Sequence, residues 1–175
     1  MIKVTVFARF KTCMGDVNLI DVLSDIRNGK YATSINRIRA CMNKGDLEAA
    51  DMQKKALPAI TISATYRGQR LVEYMTAYNP LIILDFDDLK KEDLPHLLAL
   101  VREAVYTVAC WISPRGHGIK VIVYPVVGLE LVPQSHPAIY KRVKDWYQRL
   151  LGTKADTSGS DAGCLLYTSP SPRDA

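Results

Sequence analysis

Apolar and polar positions alternate from Lys3 to Phe10, with Val4, Val6, Ala8 and Phe10 on one face, which predicts a strand. The period then lengthens. Leu19, Val22, Leu23 and Ile26 recur at helical spacing, with Asp16 or Asn18 as the cap and Asn28-Gly29 as the stop. Ile35, Ile38 and Met42 mark a second helix that ends near Asn43-Lys44-Gly45. A weaker third helix runs from Asp46 towards Leu57-Pro58. Ala59 to Tyr66 alternates again, Ile60, Ile62 and Ala64 against Thr61, Ser63 and Thr65, as a half-buried strand does. Arg67-Gly68-Gln69-Arg70 follows as a basic turn.

Leu81-Ile82-Ile83-Leu84 breaks the alternation, because four apolar residues in a row suit a strand buried on both faces. Asp93 opens a helix with Leu94, Leu97, Leu98, Val101 and Val105 on one stripe, and Pro95 is tolerated in its first turn. Tyr106–Ile112 and Ile119–Val127 are rich in β-formers and are joined by Ser113-Pro114-Arg115-Gly116-His117-Gly118, which reads as a hairpin. Lys120, Ile122 and Tyr124 share one face of its second strand. A last helix from about Pro137 carries Ile139, Val143, Trp146 and Leu150, with Gly152 past its end. Trp111, Trp146, Met42 and Cys110 fall in apolar runs and read as core, whereas His96 and His117 read as exposed. Strands and helices mix without strict alternation, so the class is α+β.

Composition narrows this picture. At 175 residues and 48% hydrophobic, the chain suits one globular domain. Lys plus Arg total 23 against 18 acids, a formal +5 that permits a nucleic-acid partner without requiring one. No 18-residue apolar run is present, and Met1–Val6 reads as a strand rather than a secretory leader. The cysteines form no CxxC or Cys/His cluster, which argues against structural zinc and for a reducing cytoplasm. From Cys164 onward the string CLLYTSPSPRD is similar to a translated sequencing adapter. The expected division is therefore a domain over 1–163 and a non-native tail over 164–175.

The candidate chemistry begins at Asp85-Phe86-Asp87. Residues i and i+2 of a strand point the same way, so the two carboxylates share a face and suit Mg²⁺ or Mn²⁺. The acids also fit a plain strand end, with Asp88 or Asp93 capping the next helix. In the Ser113–Lys120 segment, glycines would let backbone N–H groups approach a phosphate, with Arg115 and Lys120 adding charge. An ordinary basic turn fits the same residues. Asp156-Thr157-Ser158-Gly159-Ser160-Asp161 adds a third acidic stretch.

In this order the pieces resemble the VirE N-terminal-like family of Bacteroidetes, a branch of the archaeo-eukaryotic primase superfamily. Lys54-Lys55-x-Leu57-Pro58-Ala59-Ile60-Thr61 is similar to a family signature. Leu84–Asp87 resembles the first primase motif, Ser113–Lys120 the second, and Asp156–Asp161 the approach to the third. Lys120 stands where active primases carry a histidine, and the third motif is expected to be cut at the tail. The resemblance implies a single mixed-sheet domain with N-terminal helices, truncated at its C-terminus. It implies a primase or primase-polymerase of a mobile-element or phage-like replication module, inactive as truncated. Asp85, Asp87 and Lys120 would be catalytic, with Asp85, Asp87 and Asp161, or Asp156 in its place, holding Mg²⁺ or Mn²⁺. Ser113, Arg115, Gly116, Gly118 and Lys120 would bind the nucleoside triphosphate. Lys54, Lys55, Arg67 and Arg70 would track single-stranded nucleic acid, although solvated surface charge explains those four as well. A helicase encoded nearby is the expected partner. An inert single-stranded nucleic-acid-binding module and a metal-dependent nuclease are the alternatives.

Overall fold

The computed structural model describes residues 1–163 except Phe10 and Val127, together with the backbone of Leu165–Tyr167. The expectations for Phe10, Val127 and the rest of the tail lie outside the described residues.

The α+β class holds, but the strands divide among three antiparallel sheets rather than one mixed sheet. The first is ordered β2-β1-β3-β9, from β1 (Lys3–Ala8), β2 (Thr12–Asn18), β3 (Ala59–Thr61) and β9 (Leu165–Tyr167). The second pairs β4 (Ala64–Tyr66) with β5 (Met75–Tyr78). The third is ordered β6-β8-β7, from β6 (Ile82–Phe86), β7 (Thr107–Ile112) and β8 (Ile119–Val123). Among the described residues five α-helices accompany them: α1 (Leu19–Arg27), α2 (Ala32–Asn43), α3 (Leu47–Lys55), α4 (Leu94–Glu103) and α5 (His136–Leu151).

The corner between β3 and β4 explains why one predicted strand became two. Ala59–Tyr66 is buried throughout rather than on one face. Its hydroxyls are satisfied inside. Thr61 Oγ1 donates to Ala64 O at 2.8 Å, Ser63 Oγ donates to Leu81 O at 2.7 Å, and Thr65 pairs with Thr76 at 2.8 Å. The Asn79 amide donates to Lys3 O and Ile62 O at 2.7 and 2.9 Å. Side chains thus replace ladder bonds where the chain leaves β1 for β5. Strands β2, β5 and β9 are additional to the predicted elements. β2 is mostly exposed and holds Gly15 at φ 101°, so its residues lack an apolar alternation. Asp16 accepts from Thr5 Oγ1 at 2.6 Å instead of capping α1.

The third sheet is the scaffold of the site. One face carries Ile82, Leu84, Phe86, Ile119, Val121 and Val123 against α4 and α5. The other carries Leu81, Ile83, Trp111 and Ile122 against Val4, Ile60, Ile62 and the α1 residues Leu19, Val22 and Ile26. α2 and α3 form a small core of their own through Ile35, Ile38 and Ala50, closed by Leu57 and Ala59. Of the residues read as core, Trp111 is buried, Met42 and Cys110 are half-buried, and Trp146 is exposed, edge-on to Tyr106 and Tyr147.

Candidate functional site

β6 was expected to be buried on both faces, as it is. It is an edge strand, with β8 in the centre. Its outer edge is nevertheless covered. Asp156 N donates to Asp85 O at 2.8 Å, and Gly159 lies so close to Ile83 O that a Cβ there would collide with it. Tyr140 Oη donates to Asp156 O, and His136 Nε2 meets Gly159 O at 3.1 Å, so α5 holds this covering segment in place.

The register places Asp85 directly opposite Lys120. The two form an ion pair, with 4% of the Lys120 side chain and 23% of the Asp85 side chain exposed. Asp85 Oδ2 takes the ammonium. Asp85 Oδ1 is buried and has no hydrogen-bond partner among the described residues. Asp87 follows just beyond the strand, and Asp88 then turns the chain with φ 55°, a left-handed conformation uncommon for a residue other than glycine. Burial raises the Asp87 carboxyl above its ordinary value, the Asp85 charge adds to this, and Lys120 and Lys54 oppose it. Asp93, one of the two expected caps, takes the N-cap position of α4 without a side-chain capping bond.

Gly118 permits the close approach of the loop. A Cβ on it would stand 2.5 Å from Phe86 O and 3.1 Å from both Asp87 Oδ1 and Ser113 Oγ. The loop is braced internally, since Ser113 N donates to Gly118 O at 2.8 Å and Gly116 N donates to Ser113 O at 2.9 Å. Those two N–H groups are thus engaged within the loop. Ser113 is buried. Arg115 reaches α3 and donates to Asp51 Oδ1 at 2.8 Å.

The four expected strand-tracking cations separate. Lys54 faces the acid site: burial lowers its ammonium pKa, the charges of Lys120 and Arg115 lower it further, and Asp85 and Asp87 oppose them. Lys55 pairs with Asp51 at 2.6 Å on the surface of α3. Arg67 and Arg70 belong to the β4–β5 connection, where Arg70 donates to Gly163 O at 3.0 Å and lies over the Phe7 ring. Asp161 does not join the acid pair as a third ligand. It lines a different cleft with Tyr66, Arg70 and His136, and its charge helps raise the Tyr66 hydroxyl to about 12, behind the larger effect of burial. Asp156 is the nearer acid, with its carboxyl lowered first by hydrogen bonds from Ser158 and in part by Lys120. Among the described residues, no group of three His, Cys, Asp or Glu side chains could hold a metal ion. Arg39 of α2 is the neighbour that sequence reasoning missed. It donates to Ser113 O at 3.3 Å, and nothing in the α2 periodicity marks it.

A model of the BT4734-like N-terminal domain family matches residues 52–172. The chain belongs to this family. The matched span contains Lys54, the acid pair, the whole Ser113–Lys120 segment and Asp156–Asp161, so the site of this BT4734-like domain falls within it. No curated protein and no solved structure matches the chain. Among the described residues no helix is long and apolar enough to cross a membrane.

Proposed function

We propose that Asp85, Asp87 and Lys120 form a primase-type, metal-dependent nucleotidyl-transfer site acting on a single-stranded template. The observation that carries this reading is the register pair: an acid pair at a strand end with a buried lysine placed opposite it. The donor set fits Mg²⁺ or Mn²⁺. Two hard carboxylates stand together, and the buried Asp85 Oδ1 lacks a partner among the described residues. Mg²⁺ is commonly held by one or two carboxylates, with water and substrate phosphate completing its shell. Such an ion would polarise the reacting phosphate and offset developing charge. Lys120 neutralises Asp85 in the unliganded site and is placed to bind a phosphate as a point charge. Lys54 adds charge on the same side. Gly118 keeps the loop tight against Asp87. The free cysteines Cys13, Cys41 and Cys110 suit a cytoplasmic setting.

A specific observation favours a second reading, an inert single-stranded nucleic-acid-binding module. Lys120 closes directly on Asp85, and Asp161 stands elsewhere. The deciding experiment is primer synthesis with labelled nucleoside triphosphates, Mn²⁺ and a single-stranded template. The chain and its Asp85→Asn/Asp87→Asn variant are compared, also with residues 164–175 replaced by the corresponding segment of another family member. Synthesis lost in the variant supports the transferase. Template binding without synthesis supports the inert module, and template cleavage indicates a nuclease.

A further inference from the structure

The Ser113–Gly118 loop has two sides. Gly118 abuts Asp87, whereas Gly116 abuts Arg39: at φ 82°, a Cβ on Gly116 would lie 3.3 Å from Arg39 Nε. On that second side a cleft of about 310 Å³ opens between α2, the loop and the first turn of α4. Arg39, Lys91, Arg115 and His117 line it, and Leu94 and Pro95 form part of its wall. Three separate segments bring these basic groups together, and the lining includes no carboxylate. Asp51, the acid that pairs with Arg115, lies outside it.

We propose that this cleft is a second anion site, which takes a backbone phosphate of a single-stranded nucleic acid about to pass the acid pair. Three cationic side chains and an imidazole in a concave surface without a lining acid favour a phosphate over a neutral or cationic ligand. Guanidinium groups suit it especially, because their fork matches phosphate oxygens. The volume admits a phosphate with its sugar but leaves little room for an extended ligand. Since the loop forms a wall of both sites, a strand held here runs directly to Asp87. The anion site itself rests on the cleft alone; the path of the strand rests on the nucleotidyl-transfer reading.

The test uses the whole chain and fluorescence anisotropy with a labelled oligothymidylate, titrated against salt. Lys91 is exposed, so Lys91→Glu should fold normally. Oligothymidylate affinity should fall about tenfold in Lys91→Glu. In Lys91→Gln the slope of log affinity against log salt should drop by about 0.7, the value for one lost single-strand phosphate contact. Affinity for Mn²⁺·ATP should stay within about twofold in both. Competition by inorganic phosphate at concentrations that spare a non-specific control would mark a free-phosphate site rather than a strand site and overturn the proposal. So would unchanged oligothymidylate affinity and salt slope in both variants, no binding by the unsubstituted chain, or equal loss of Mn²⁺·ATP. Asp85→Asn/Asp87→Asn separates the two readings: it should lose Mn²⁺ yet keep oligothymidylate binding if the cleft acts alone.

Discussion

The two faces of β6 are built from neighbouring residues and solve opposite problems. Ile82, Leu84 and Phe86 face α4 and α5 and are fully buried among hydrocarbon. Ile83 and Asp85 alternate with them, and that face starts apolar at Leu81 and Ile83 but turns ionic at Asp85 and Lys120. The apolar face needs only shape and area. The ionic end needs a counter-charge at each step, since a desolvated charge without one is strongly unfavourable. A fold seeking stability alone would continue the hydrocarbon, because replacing a buried ion pair with apolar side chains is often neutral or stabilising. The abrupt switch within one strand is what the proposed nucleotidyl-transfer site requires.

The comparison is broken most severely on the apolar side. Phe86→Ala should cost about 4 kcal/mol, the range for emptying a packed aromatic site, as Phe86 is fully buried. Urea unfolding measures it, and a loss below about 1.5 kcal/mol would show that this face is not close-packed. Next comes Lys120→Met, at about 3 kcal/mol. This is the low end for orphaning a buried charge, because Asp85 keeps some exposure. Lys120→Met combined with Asp85→Leu should recover most of that loss. If the double variant is no more stable than Lys120→Met alone, the pair is not coupled as described. Gly118→Ala follows, at about 2 kcal/mol by the general scale for overpacking. The new methyl meets the carbonyl of Phe86, which sits in a strand and cannot swing aside. Mn²⁺ affinity measured by calorimetry should fall with it, since the displaced neighbour is Asp87.

The sequence made the two faces of β6 legible to different degrees. Four consecutive apolar residues announced a doubly buried strand, and the D-x-D spacing brought Asp85 and Asp87 close enough for their charges to interact. The pairing of Asp85 with Lys120 required the register of β6 on β8, which depends on the loop geometry and is not written in either strand. The edge position of β6 was equally hidden, because the Asp156–Gly159 segment covers that edge with a few backbone contacts rather than a strand. The burial of Thr61, Ser63 and Thr65 was misread for a related reason. Alternating hydroxyls look solvent-facing, but here they replace the ladder at a corner. Arg39 was invisible because a cation on a helix surface has no periodic signature; only the folded loop brings it to Ser113.

The smallest effect sharpens the comparison most, because its sign differs from the others. Asp87→Asn should stabilise the metal-free protein at neutral pH by a few tenths of a kcal/mol. Asp87 keeps much of its surface in solvent, which screens its interactions. Burial and the Asp85 charge still raise its carboxyl above the ordinary 3.8. A carboxyl raised on folding binds its proton more tightly in the native state than in the unfolded chain. Its favourable contribution is complete below the unfolded value and disappears as pH rises through the folded value. Above that window the ionised group is a net burden, which the amide does not share. The stability difference between Asp87→Asn and the unsubstituted chain should therefore grow between pH 3.8 and neutrality and then level off. Thermal unfolding across that range measures it, and a difference that shrinks with rising pH would mean Asp87 is held as a favourable anion. Added Mn²⁺ should reverse the order, since an ion bound only by the native state stabilises the chain that retains both carboxylates. Reversal by Mn²⁺ without reversal by matched ionic strength would separate ligation from screening.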